Sequence, residues 1–252
     1  MGRFETTVAL YAELRPPYPA EFFSTVATKL GFSKQDALID LGTGPGLLAL
    51  GFAPYVGRVT GVDPEPAMLA VARQAAGQRR QEFTLIEGKA EALPESVGRF
   101  DAVTIGRALH WMDRDAMAAL LPRLVTPDGA VVVCSSSSAA DGRNAWLDVY
   151  NEARRFWSGE GSGGRHRGAL AAVLAGTSLK LADEIAVESS REVSVNDLAR
   201  RVLTFSTSSP AILGDKAEAM LRDVRERLLP FSRDGSATEI VTSTARVVRL
   251  HL

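Results

Sequence analysis

The sequence predicts a doubly wound α/β fold, a mainly parallel sheet of about seven strands with flanking helices and an inserted helical cap. Five short apolar runs, at 37–41, 59–62, 83–86, 100–105 and 130–134, alternate with helix-like segments. Such alternation marks βαβ units, whose right-handed crossovers lay helices on both faces of a sheet. A glycine-rich turn, Gly42-Thr43-Gly44-Pro45-Gly46, falls where the first run gives way to a helical segment.

The elements follow in order. Residues 19–30 read as a helix with Phe22, Phe23, Val26 and Leu30 on one side and Gly31 as its cap. Residues 37–41 form a buried strand and 47–55 a helix. The second strand, 59–62, ends in Asp63-Pro64-Glu65-Pro66, which is helix-start chemistry for 67–76. Strands follow at 83–86, 100–105 and 130–134. Between the last two, residues 113–124 place Met117, Leu120, Leu121 and Leu124 at helical spacing.

The second half is less regular. Residues 146–157 read as a helix. The stretch 159–168 holds five glycines in ten residues and reads as a loop. A strand is expected at 184–193, helices at 195–203 and 216–229, and a long final strand at 238–250. With no internal repeat and no clear linker, the reading is a single domain, 1-252, with an insertion at about 138-210.

A chain of 252 residues with 46% apolar and 23% charged residues suits one soluble domain with a sizeable core. The net charge of -1 gives no general pull toward nucleic acid or an anionic membrane. Cys134 stands alone among Val131, Val132 and Val133, as a buried strand thiol does. No signal-peptide run opens the chain, and no stretch approaches the ~20 apolar residues that span a bilayer. The expected setting is cytoplasmic, without membrane or nucleic-acid partners, as monomer or homodimer.

The chemistry-bearing residues sit at the carboxyl ends of the expected strands, where open α/β sheets bind ligands. Asp40 ends the first strand, and Gly42, Gly44 and Gly46 let a ligand press against bare backbone. The spacing is Gly-x-Gly-x-Gly, not the Gly-x-Gly-x-x-Gly of dinucleotide sites. An acid beside such a turn suits a nucleoside with a cationic tail, of which S-adenosyl-L-methionine is the common one. Asp63, at the end of the second strand, suits the two hydroxyls of a ribose and equally a helix cap. The loop Glu87-Gly88-Lys89-Ala90-Glu91 offers an acidic or carbonyl acceptor for an adenine amine. The Ala90 N–H offers a donor for a ring nitrogen. After the fourth strand, the backbone near Gly106 and Arg107 falls beside the amino-acid tail. His110 and Trp111 then face the reaction space. His110 reads either as a proton-transfer group or as a structural histidine bonded to backbone.

These motifs, over roughly residues 11–134, resemble the class I S-adenosylmethionine-dependent methyltransferases. Asp40-Leu41-Gly42-Thr43-Gly44-Pro45-Gly46 is similar to the family's first motif, Val62-Asp63 to its ribose-binding acid, and Gly88 through Pro94 to its adenine loop. Phe100-Asp101-Ala102-Val103 with Ala108-Leu109-His110-Trp111 resembles the small-molecule branch that contains trans-aconitate methyltransferase. Tyr11 with Arg15-Pro16-Pro17-Tyr18-Pro19 is similar to that branch's cofactor-covering N-terminal segment, here residues 1-20. The resemblance implies a Rossmann-like fold and a cofactor site of Asp40, Gly42, Thr43, Gly44, Gly46, Asp63, Ala90, Glu91, Arg107, Tyr11 and Arg15. Many relatives carry an acid where Lys89 stands, which shifts the adenine contact here to backbone or Glu91.

The implied reaction moves a methyl group by in-line displacement to a small-molecule acceptor at oxygen, nitrogen or carbon, with a carboxylate or a secondary metabolite among the candidates. S-adenosyl-L-homocysteine is the product. Holding the reacting atoms at near-attack distance supplies roughly 7–11 kcal/mol. A carboxylate acceptor needs no base, whereas a hydroxyl benefits from one such as His110. No metal is expected, because His110, His166 and His251 lack ligand spacing. Tyr18, His110, Trp111 and Trp157 are the candidate substrate residues. Trp146, Tyr150 and Trp157 form a stripe that reads as core or as pocket wall. Arg165, His166 and Arg167 in the glycine-rich loop would form a lid favouring an anionic substrate. The alternatives are a SAM-binding protein without catalysis and a nicotinamide-dependent oxidoreductase, which the glycine spacing opposes.

Overall fold

A computed structural model describes residues 10, 13–81, 83–158, 168–205 and 207–251. The first half runs α1 (Ala20–Leu30), β1 (Ala37–Leu41), α2 (Leu47–Phe52), β2 (Arg58–Asp63), α3 (Pro66–Gln78), β3 (Thr84–Glu87), β4 (Phe100–Gly106) and α4 (Arg114–Leu124). The second half runs β5 (Val125–Ser138), α5 (Leu147–Ser158), α6 (Ala169–Leu174), β6 (Leu179–Ser194), α7 (Val195–Arg201), α8 (Pro210–Leu213), α9 (Ala217–Leu228) and β7 (Ser236–Leu250). Among the described residues one seven-stranded sheet has the order β3-β2-β1-β4-β5-β7-β6. Strand β1 pairs in parallel with β2 and β4, β2 with β3, and β4 with β5. The order reverses between β1 and β4, the switch point at which such sheets bind ligands.

The chain divides into two compact units. A sheet unit comprises Tyr18–Ser135, Gly164–Val187 and Ser243–Leu252, and a helical unit comprises Met1–Pro17, Ser136–Gly163 and Glu188–Thr242. The insertion expected at 138-210 thus extends in the helical unit to include α9.

Strand periodicity sorts the core of the sheet unit. Ile39, Leu41, Val103, Ile105 and Val131 point to one face and pack with Met117, Leu120, Leu121 and Leu124 of α4. Leu38, Ala102, Val132 and Cys134 point to the other, against Phe22, Phe23 and Val26 of α1 and Leu48 and Phe52 of α2. Local chemistry fixes the helix ends. Gly31 closes α1 in the left-handed conformation, Pro66 opens α3, and Asp113 caps α4 by accepting the Ala116 N–H at 2.8 Å.

The helical unit has its own core. Trp146, Leu147, Tyr150 and Ala153 pack with Leu198, Val202, Met220, Leu221 and Val224. Within it Glu239 is fully buried and accepts both terminal nitrogens of Arg201, at 2.6 and 2.9 Å. Arg191 Nε and Ser138 Oγ complete its shell at 2.9 and 2.6 Å. Burial pushes the Glu239 carboxyl up, but the Arg201 bonds and charge outweigh it and hold the group below its usual range. No helix of the described residues is long and apolar enough to cross a membrane.

Candidate functional site

The site is built on β1. Its register sets Asp40 between Gly61 of β2 and Thr104 of β4. Thr104 donates its hydroxyl to Asp40 Oδ1 and Thr43 donates to Oδ2, each at 2.7 Å. The carboxylate is only 1% exposed, and burial pushes its pKa up to about 6 against the two hydroxyl bonds and the Ala49 N–H. Asp40 therefore acts on the glycine turn from behind, by holding Thr43. Its oxygens face the protein and not solvent. Thr43 also donates its N–H to the Val62 carbonyl at 2.9 Å. Gly61 makes room for it: a Cβ there would stand 3.0 Å from the Thr43 methyl.

The turn itself is left-handed at Gly42, Gly44 and Gly46, with φ of 67°, 54° and 84°. A Cβ on Gly42 would lie 2.5 Å from the Ala108 Cβ, so the turn and the loop after β4 approach within a distance only glycine allows.

Asp63 joins three loops. Its Oδ2 accepts the Gly44 N–H at 2.8 Å, its Oδ1 accepts the Glu65 N–H at 2.9 Å, and its carbonyl accepts the Gly88 N–H at 3.0 Å. Each carboxylate oxygen carries two lone pairs, so these bonds leave acceptor capacity. Burial raises the Asp63 carboxyl, with the Glu65 and Gly44 N–H groups pulling the other way. The expected helix cap at Asp63 is not what the structure shows: the N-cap position of α3 is Glu65, without a side-chain cap bond, and the Asp63 bond to the Glu65 N–H closes a turn before the helix.

Ala90 is buried and opens a helical turn, Ala90–Ala92, the position whose N–H has no acceptor within the turn. Glu91 Oε1 accepts the Asp113 N–H at 2.7 Å, which ties this loop to the start of α4. Arg107 follows β4 in a left-handed conformation, φ 56°, uncommon for arginine. Its N–H donates to the Cys134 carbonyl at 3.2 Å and its guanidinium lies 5.1 Å from the centroid of the Tyr18 ring. Cys134 is a buried thiol whose pKa burial pushes up, in keeping with a strand residue rather than a nucleophile. His110 and Trp111 sit on the turn Leu109–Trp111, with ring centroids 4.8 Å apart and Trp111 39% exposed.

The sheet unit thus brings together Tyr18, Asp40, Gly42, Thr43, Gly44, Gly46, Asp63, Ala90, Glu91, Arg107, His110 and Trp111. Arg15 and Trp157 belong to the helical unit. Arg15 lies 3.9 Å over the Phe205 ring and donates to the Thr204 carbonyl at 3.0 Å. Trp157 donates its indole N–H to Asp223 at 2.8 Å and packs against the core, while Trp146 and Tyr150 are buried, so the aromatic stripe is core. Tyr11, Arg165, His166 and Arg167 lie outside the described residues. Sequence reasoning missed Thr104 and Gly61. Only the register, which sets both beside Asp40, reveals them.

Residues 38–129 match the model of a methyltransferase domain. The chain is 41% identical over 100 residues to the demethylmenaquinone methyltransferase of Thermus thermophilus, covering 38% of this chain and 45% of that protein. It is 30% identical over 127 residues to the "Probable S-adenosylmethionine-dependent methyltransferase CRG1" of Saccharomyces cerevisiae, covering 48% and 42%. The chain therefore spans less than half the length of these two relatives. Its fold is similar to that of a SAM-dependent methyltransferase from Geobacter sulfurreducens solved in complex with S-adenosyl-L-homocysteine, with a TM-score of 0.58, 16% identity, and 98% and 97% of the two chains covered. These likenesses do not single out the trans-aconitate branch. The matched domain segment holds the glycine turn, Asp63 and the Ala90 loop, and through it the chain is similar to S-adenosylmethionine-dependent methyltransferases.

Proposed function

We propose that this chain transfers a methyl group from S-adenosyl-L-methionine to a small-molecule acceptor at oxygen, nitrogen or carbon. The observation that carries the reading is the Gly44–Asp63 hydrogen bond, which couples the bare-backbone turn to an acid with acceptor capacity at the sheet's switch point. A turn of three left-handed glycines suits the methionine end of the cofactor, Asp63 the ribose diol, and the Ala90 N–H with Glu91 the adenine edge. When bound, the cofactor supplies a methyl group already activated on a sulfonium.

The chain's own work is then binding, orientation and, for some acceptors, proton removal. Asp40 holds the turn and adds a negative charge that favours the cationic tail. The Arg107 backbone bounds that tail, and Tyr18 and Trp111 shape the acceptor side. His110 takes the proton of a hydroxyl acceptor, whereas a carboxylate acceptor leaves it without that task. We further propose that residues 1-20, with Tyr11 and Arg15, cover the cofactor and that the helical unit selects the acceptor. The name of the Thermus relative supports an organic small-molecule acceptor. Near-neutral charge supports a protein without nucleic-acid partners.

The test is transfer of labelled methyl from S-adenosyl-L-methionine across a panel of hydroxyl, amine and carboxylate metabolites. Turnover on one of them is expected, and His110→Gln should lower kcat on a hydroxyl acceptor while sparing cofactor affinity. Cofactor binding without turnover on any acceptor would instead favour a binding protein without catalysis.

A further inference from the structure

The helical unit holds a buried polar cluster around Tyr150 and Arg201, two residues with no part in the glycine-turn site. Tyr150, on α5, is 3% exposed, and its hydroxyl has no hydrogen-bond partner among the described residues. The Arg201 side chain is 4% exposed and spends both terminal nitrogens on Glu239, yet its Nε also lacks an acceptor among the described residues. Buried donors are rarely left unmet, so two in one core point to an acceptor that belongs there.

The surroundings set its charge. Burial pushes the Tyr150 hydroxyl up to about 12, while the guanidiniums of Arg201, Arg15 and Arg154 pull the other way and the Glu239 carboxylate adds to the rise. Arg15 and Arg154 are held on one ring, with guanidinium carbons 3.9 and 4.3 Å from the Phe205 centroid. A water molecule could accept from both orphaned donors. Three guanidiniums against one carboxylate give an oxyanion a charge interaction that water lacks, set against the cost of burying it.

We propose that Tyr150 and Arg201 form a recessed anion site in the helical unit, where one small oxyanion of the carboxylate or phosphate class accepts from the Tyr150 hydroxyl and the Arg201 Nε. Arg154 and Arg15 supply the favourable field, and Phe205 fixes their planes. The two donors, Tyr150 and Arg201, belong to the helical unit and carry no step of methyl transfer.

The experiment is a melting titration of the full chain with sodium acetate and, separately, sodium phosphate, against sodium chloride at equal ionic strength. One of the two oxyanions should raise the melting temperature saturably beyond chloride, and the better one names the class. Tyr150→Phe should weaken its apparent Kd about tenfold, the loss of one charge-assisted hydrogen bond. In chloride the same variant should melt no lower than the parent, because the Tyr150 hydroxyl has no partner among the described residues. Arg154→Gln should weaken the oxyanion several-fold through the field. A parallel titration with S-adenosyl-L-homocysteine reports on the cofactor site separately, so failure of one reading is not failure of the other. No saturable rise with either anion, or equal affinity in Tyr150→Phe, would mean that water meets these donors and would overturn the proposal.

Discussion

The backbone N–H of Gly44 donates to Asp63 Oδ2 at 2.8 Å, which makes the turn after β1 and the acid ending β2 one hydrogen-bonded unit. Asp63→Ala removes the acceptor for both Gly44 and Glu65, and bonds to a charged group are worth about 1.5–3 kcal/mol each. Affinity for S-adenosyl-L-homocysteine should fall at least about tenfold, read by calorimetric titration, with a lowered melting temperature. Asp63→Asn keeps one acceptor oxygen and should lose less. An alanine variant that binds like the parent would remove Asp63 from the site.

Asp40 makes stability pH-dependent with a defined sign. Burial raises its folded-state pKa from 3.8 to about 6, so the folded chain holds this proton more tightly than the unfolded one. Stability from this group is greatest below the unfolded value and is lost as pH rises through about 6, a loss of about 3 kcal/mol. Asp40→Asn should flatten that part of the stability curve and match or exceed the parent at neutral pH. Urea midpoints measured stepwise across the window check this, and an unchanged curve contradicts it. The same variant should bind the cationic cofactor more weakly.

Two glycines of one turn should respond differently to alanine. At Gly42 an added Cβ meets the Ala108 Cβ at 2.5 Å as well as a φ of 67°, whereas at Gly44 it meets only the Met68 sulfur at 3.9 Å, at φ 54°. Left-handed backbone costs each about 1–2 kcal/mol, and overpacking adds about 1–3 kcal/mol at Gly42. Chemical denaturation should rank Gly42→Ala well below Gly44→Ala, and equal losses would mean that the loop after β4 yields freely.

The Rossmann-like half was legible because its strands are short, apolar and each followed by a helix with recognisable ends, such as Gly31, Pro66 and Asp113. The site was legible where chemistry sits in one contiguous stretch, as from Asp40 to Gly46. Thr104 was not, because its role depends on strand register, which puts it opposite Asp40 from another part of the chain. Strand β6 was expected to start at residue 184 but starts at Leu179, since Lys180 to Glu184 are exposed on a sheet edge and lack apolar alternation. Likewise β5 extends over Thr126-Pro127-Asp128-Gly129, turn-like residues accommodated by a register shift against β4. The short α6 and α8 carry too few residues to show a helical period.

The pair of Arg201 and Glu239 anchors the helical unit, since both side chains are almost fully buried and joined by two hydrogen bonds. Glu239→Gln leaves the Arg201 charge without its partner, which costs about 3–5 kcal/mol. Because the Glu239 pKa lies below its ordinary 4.5, its contribution is present above that value and lost as pH falls below it. Melting curves should show the variant destabilised at neutral pH and closer to the parent in acid; a gap that stays constant with pH counts against the assignment.

The central claim is that the Asp40–Gly46 turn with Asp63 holds S-adenosyl-L-methionine. Calorimetric titration of the full chain with S-adenosyl-L-homocysteine, alongside NADH, tests it most directly. S-adenosyl-L-homocysteine should bind saturably at one site per chain, more weakly in Asp63→Ala, and NADH should not bind. Absence of S-adenosyl-L-homocysteine binding to the folded protein, or tighter binding of NADH, would contradict it.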